Sequence, residues 1–184
     1  MARSGAVLHG QLLDAALGLF GQRGFRGTSL QDIAREAGCS KASLLYHFHS
    51  KEAIFVELLT PCKDALDDLN DLLQDVPTSD VARRAVEGFV DVMIRYRRQI
   101  TMVLQQAAEA ATAQADKEGV ISEQRTDLLV HALSGRDPDP SARLRSWMAI
   151  GAITLAATSS DTETFTELTR QELITSALRV LRPT

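Results

Sequence analysis

The sequence is short of cysteine, of aromatic residues and of long apolar runs, and each shortage narrows what the chain can be. Two cysteines, Cys39 and Cys62, in 184 residues cannot make a disulfide framework, and neither stands in a CxxC or Cys/His cluster of zinc spacing. A reducing compartment fits. The longest nearly apolar run, Met148 to Ala157, is ten residues, against about 20 needed to span a bilayer. Asp14 interrupts the only early apolar stretch and no small-residue cleavage site follows it, so no secretory leader is expected. A cytoplasmic protein with no membrane partner is the expectation. Aromatics at 5% offer few stacking partners to a flat ligand. There is no GxSxG, glycine-rich phosphate loop, HExxH or metal-ligand spacing. An enzyme is therefore the least favoured class, with no catalytic residue, cofactor or metal expected. Asp67, Asp68 and Asp71 read as a solvated charged face.

What is present is a chain 45% hydrophobic, long enough to bury roughly 68–72% of the surface its unfolded form exposes. It needs no covalent staples. The net charge of −4 argues by itself against a nucleic-acid partner, but it hides a split. Residues 1–51 carry six Lys/Arg and three acids, whereas the rest carries fourteen and twenty-one. From Ala37 to Lys51 there is no acid at all. Such asymmetry points to a local anionic partner near the N-terminus, or to chance scatter.

No alternating strand pattern is legible, and helical periodicity runs throughout. Leu12, Ala16, Leu19 and Phe20 mark one face of a first helix ending near Gly24. Thr28 reads as the cap of a second, with Gln31 completing a capping box and Gly38 ending it. Ser40 caps a third helix to about Phe48, and Ser50 a long fourth, in which Pro61 predicts a kink or break. Val81, Ala85, Phe89, Val92, Met93 and Tyr96 stripe a fifth helix, widened by Val86, Val90 and Ile94. A sixth helix follows near 100–115 and a seventh near 122–133, stopping at Gly135. Asp139 with Pro140 begins an eighth, and Ser160 or Thr164 caps a ninth. The fold class expected is all-α with about nine helices. The expected division is a three-helix helix-turn-helix domain, 1–50, joined to a helical domain, 51–184.

The two short helices on either side of Gly38-Cys39 carry the chemistry. A turn this short, with glycine, lets the second helix of a helix-turn-helix lie in the major groove of DNA. Leu44 and Phe48, one turn apart, should face the core. The opposite face would show Ala42, Ser43, Tyr46 and His47, with Lys41 at its start. Ser43 can exchange hydrogen bonds with base edges and the Ala42 methyl can touch a thymine methyl, while Tyr46 and His47 reach phosphates. Lys41 and Lys51 each sit in a first helical turn, beside the positive end of the macrodipole, which costs a few tenths to about 1 kcal/mol. A docked phosphate would reverse that cost.

Residues 8–59 resemble the DNA-binding domain of the TetR family of regulators. The resemblance is carried by Ala16–Phe20, Gly24-Phe25, Thr28-Ser29, Ile33-Ala34-Arg35-Glu36-Ala37-Gly38, Ser40-Lys41-Ala42-Ser43-Leu44, Phe48 and Ser50-Lys51-Glu52-Ala53. The family usually has Tyr directly after Leu44, where this sequence has Leu45 with the aromatic at Tyr46. The resemblance implies DNA contacts from Thr28, Lys41, Ser43, Tyr46, His47 and Lys51. It also implies a helical ligand-binding and dimerisation domain after them, and a pendulum-like switch through the fourth helix.

Within that second region Phe89, Met93, Tyr96, Met102, Gln106, Glu109 and Trp147 could line an apolar pocket with a few polar groups. Taken singly, the same aromatics and methionines suit a core better than a pocket. The eighth helix, with Ala149, Gly151, Ala152, Ala156 and Ala157, and the ninth, with Leu168, Leu173, Ala177, Val180 and Leu181, predict a homodimer through a four-helix bundle. The reading is a transcriptional repressor that binds a palindromic double-stranded operator and is released by a small-molecule ligand. The alternative is a regulator without such an inducer, controlled by abundance or by a protein partner.

Overall fold

The computed structural model describes residues 2–110, 123–159 and 166–182. Among them are nine helices and no strand: α1 (Ala2–Arg23), α2 (Leu30–Glu36), α3 (Lys41–His47), α4 (Lys51–Gln74), α5 (Thr78–Arg95), α6 (Arg97–Ala110), α7 (Glu123–Leu133), α8 (Pro140–Ser159) and α9 (Glu167–Leu181). Two compact units are distinguished, divided within α4 after Pro61 and within α6 after Ile100.

The first unit gathers α1, α2, α3, the start of α4 and the later part of α6. The α1 stripe of Leu12, Ala16, Leu19 and Phe20 is fully or almost fully buried, together with Ile33, Ala34, Leu44, Phe48, Ile54 and Met102. One expectation is corrected here. The N-cap of α2 is Ser29, not Thr28, and its capping-box partner is Asp32, not Gln31. Ser29 Oγ accepts from the Asp32 amide at 3.2 Å, and the Ser29 amide donates back to the Asp32 carboxylate at 3.1 Å. Thr28 is turned inward, where its hydroxyl donates to the carbonyls of Gly24 at 2.9 Å and Leu19 at 3.3 Å.

Pro61 neither breaks nor ends α4, which is helical on both sides of it. Proline deprives the carbonyl one turn earlier of its amide partner, and Pro61 lies on an exposed face open to solvent.

The second unit contains residues 62–74 of α4, α5, the start of α6, and α7 to α9. Val81, Ala85, Val86, Phe89, Val90, Val92 and Met93 bury most sides of α5. Helix α8 lays Ala142, Ser146, Ala149, Ile153 and Ala157 inward, a strip of mostly small residues that lets α9, α7 and α5 approach it. Asp139 Oδ1 accepts from the Ser141 amide at 3.2 Å and so caps α8 as expected. Thr166 caps α9 by accepting from the Thr169 amide; the expected caps, Ser160 and Thr164, lie outside the described residues. The carboxylate of Asp67 on α4 takes a two-toothed bond from Arg125 on α7, and Asp91 on α5 takes one from Arg170 on α9 at 2.5 and 2.9 Å. Among the described residues no helix is long and apolar enough to cross a membrane.

Candidate nucleic-acid interface

The turn between α2 and α3 is built from backbone bonds. Gly38, at φ 68°, takes the left-handed conformation that costs glycine little. Its amide donates to Arg35 O at 3.2 Å, and that of Cys39 to Ala34 O at 2.9 Å. This pair of bonds satisfies two of the orphan carbonyls of α2. Ser40 then starts α3 immediately, its Oγ accepting from the Ser43 amide at 3.0 Å. Two helices are thus joined with no slack, as major-groove insertion of the second requires.

Leu44 and Phe48 anchor α3 in the core at 0 and 2% exposure, while Tyr46 stands 88% exposed. Lys41 and Ala42 are exposed, and Ser43 and His47 half-buried. The predicted reading face is therefore outward. Ser43 is less free than the sequence suggests, because Ser40 Oγ also donates to its hydroxyl at 3.1 Å; an acceptor lone pair and its own proton remain for a base edge. Leu45 is also outward, at 45% exposure.

Two predicted contacts have partners within the chain. Thr28 is 2% exposed, with its hydroxyl directed to two carbonyls of α1 and its end. Lys51 Nζ donates to Phe25 O at 2.6 Å and Thr28 O at 2.8 Å, and lies 4.3 Å from the centroid of the Phe25 ring. Its ammonium is thus engaged within the chain by two neutral carbonyl oxygens.

Sequence reasoning missed His9. On α1 it stacks on Phe48, ring centroids 4.7 Å apart, meets His47 edge-on at 5.7 Å and bonds the Glu57 carboxylate of α4. The signal was available, since His9 stands three residues before Leu12 and prolongs the buried α1 stripe. Asp32 accepts from Ser29 and from Arg35 at 2.5 Å; the Ser29 hydrogen bonds, ahead of Arg35, hold its carboxyl below the usual value.

The residues expected to line a pocket are distributed differently. Phe89 and Met93 are buried and Tyr96 is half-buried in the second unit, whereas Met102 is buried and Gln106 half-buried in the first. The side chain of Glu109 lies outside the described residues. Trp147 is 46% exposed, in an outer strip of α8 with Leu144, Met148 and Leu155. Two surface grooves, of about 500 and 550 Å³, run along α4 (His49 to Thr60) and α7 (Gln124 to His131); none of the expected pocket residues lines either. Among the described residues no group of three or more His, Cys, Asp or Glu is placed to hold a metal.

A short-turn helix pair with an anchored second helix and an exposed polar face defines a helix-turn-helix protein of all-helical fold. Residues 12–58 match the family model described as bacterial regulatory proteins, tetR family. It is 41% identical over 59 residues to the biofilm operon icaADBC HTH-type negative transcriptional regulator IcaR of Staphylococcus aureus (strain Newman), a match covering 32% of each chain. It is 51% identical over 53 residues to the HTH-type transcriptional regulator RutR of Escherichia coli (strain K12), covering 29% of this chain and 25% of that one. The chain thus spans about a quarter to a third of the length of the curated relatives it matches. The fold extends further: the crystal structure of AibR in complex with isovaleryl coenzyme A and operator DNA superposes with a TM-score of 0.69 at 19% identity, over 95% of this chain and 97% of that one.

Proposed function

We propose that the chain is a transcriptional regulator that binds a palindromic operator as a homodimer, represses from it, and is released by a small-molecule ligand. The observation that carries the DNA-reading part is α3, fixed from beneath by Leu44 and Phe48 and presenting Lys41, Ala42, Ser43 and Tyr46 outward. Ala42 and Ser43, small and near the start of the helix, permit close approach to base edges, and Tyr46 and Lys41 reach the flanking phosphates. Repression is supported by the description of IcaR as a negative regulator. A small-molecule ligand is supported by the structure of AibR in complex with isovaleryl coenzyme A.

One helix-turn-helix reads few base pairs, so two copies are needed. The outer strip of α8 supports self-association: Leu144, Met148 and Leu155 are about 60% exposed and Trp147 lies between them, with Leu168 of α9 at 73%. Trp147 suits this face better than a pocket wall. The test is enrichment of bound sequences from random double-stranded DNA. A palindrome with half-sites roughly 34–36 Å apart, or at a longer spacing, is the expected product. Failure to enrich any sequence over random DNA overturns the reading.

A further inference from the structure

We propose that Lys51 is a positioning residue for DNA reading, an internal clamp that sets the helix-turn-helix against the start of α4, and not a phosphate contact. The proposal rests on the DNA-reading function given above and assigns one of its residues a different role. An ammonium has three N–H donors and no acceptor. In Lys51 two are taken by Phe25 O and Thr28 O, and the ammonium also lies over the Phe25 ring. Little remains for a phosphate.

The place of the clamp explains its effect. Phe25 and Thr28 bracket the corner between α1 and α2. Gly27 lies inside it, where an added Cβ would fall 2.3 Å from Arg23 O, so the corner has no room for a side chain at this position. The Thr28 hydroxyl ties the corner back to α1 through Leu19 and Gly24, while its carbonyl takes Lys51. Phe25 is wedged between Phe20 of α1 at 5.2 Å and Phe55 of α4 at 5.1 Å. One ammonium therefore joins α4 to the corner from which α2, and after its rigid turn α3, departs. Releasing it frees the angle of the reading helix without removing any group from the DNA-facing surface.

A phosphate contact and a clamp differ in two readouts. Losing a phosphate contact weakens all DNA alike and makes the slope of log K against log salt shallower by about 0.9. Losing a clamp weakens selected DNA more than random DNA and leaves the slope alone. Lys51→Met removes the charge but keeps the stem over Phe25. Lys51→Arg keeps the charge, and would serve a phosphate well, but its planar fork does not fit two carbonyls spaced for one ammonium. Both variants and the wild-type chain are titrated at several salt concentrations with a duplex enriched from random DNA and with random-sequence duplex. The expected result is that each variant lowers the ratio of selected to random affinity by roughly fivefold or more, with unchanged salt slopes. A shallower slope for Lys51→Met, with affinity and slope restored in Lys51→Arg, overturns the proposal in favour of a phosphate contact. An unchanged ratio and slope in a folded Lys51→Arg overturns it in favour of a scaffold role, and that variant decides alone if Lys51→Met does not fold. A wild-type chain that enriches no sequence is seen before any variant is compared; it sinks the DNA-reading function and the clamp with it.

Discussion

Two cysteines of one chain are expected to behave oppositely because of where they sit. Cys62 is fully buried, and burial pushes its thiol up to about 11, against a small opposing pull from Arg125. The thiolate is the reactive form, so at pH 8 iodoacetamide should modify half-buried Cys39 and spare Cys62 until the protein unfolds. Equal labelling in the native state, read by mass spectrometry, would contradict the packing around Cys62. Ser43 offers a second test. Ser43→Ala should relax discrimination at one base position by about 1 kcal/mol, the low end for a base contact, since one side of its hydroxyl is engaged by Ser40. Unaltered preferences in a repeated selection would remove Ser43 from the reading face.

At the scale of elements, helix ends are where local chemistry decides. Arg136 follows α7 with φ 61°, a left-handed conformation that costs a non-glycine residue roughly 1–2 kcal/mol. It is held there because its guanidinium donates to Leu73 O at 2.8 Å, Gln74 O at 3.2 Å and Thr78 Oγ1 at 3.3 Å. The bonds to Leu73 and Gln74 cap the last turn of α4. Arg136→Ala loses the cap and keeps the strained backbone, whereas Arg136→Gly loses the cap and the strain. The glycine variant should therefore be the more stable of the two, by about 1 kcal/mol, in urea unfolding; the reverse order would show that the left-handed backbone stores no strain at this corner.

The α4–α7 pair has a pH signature. Hydrogen bonds from Arg125, then its charge and Lys63, hold the Asp67 carboxyl below its ordinary value. A depressed carboxyl contributes stability above its unfolded-state pKa and loses it as pH falls through the folded value, so the window lies below about pH 4. The side chain is 43% exposed, and solvent screening keeps the effect small. Asp67→Asn should lower the unfolding midpoint slightly at pH 7 and by less at pH 3. An equal loss at both would mean that the side chain contributes packing and not charge.

For the whole molecule the decisive quantity is self-association. Apolar side chains left in water along α8 should find a partner, and a charge placed among them should prevent it. Sedimentation at micromolar concentration is expected to give a dimer for the wild-type chain and a monomer for Leu155→Glu, with helical content unchanged. A wild-type monomer would leave the outer strip of α8 without the role given to it.

Much of this was legible in the linear sequence. Helical spacing, Gly38 between two caps, Ser40 and Ser50 as helix starts, Asp139-Pro140 opening α8, and the inward set of Leu44 and Phe48 all follow from local rules, because helices and turns are decided by neighbours within about four residues. The tertiary structure decided which way particular polar groups face. Thr28 and Ser29 are interchangeable as caps in sequence, and only the packing of the corner against α1 turned the threonine inward and gave the cap to serine. Lys51 reads as a free cation because its partners, Phe25 and Thr28, stand more than twenty residues away and are backbone carbonyls, which no side-chain pattern announces. Trp147 reads as core or pocket on hydrophobicity alone; whether it meets water depends on which face of α8 its neighbours leave uncovered. His9 was hidden for the same reason, its partners Phe48 and Glu57 being brought to it only by the fold.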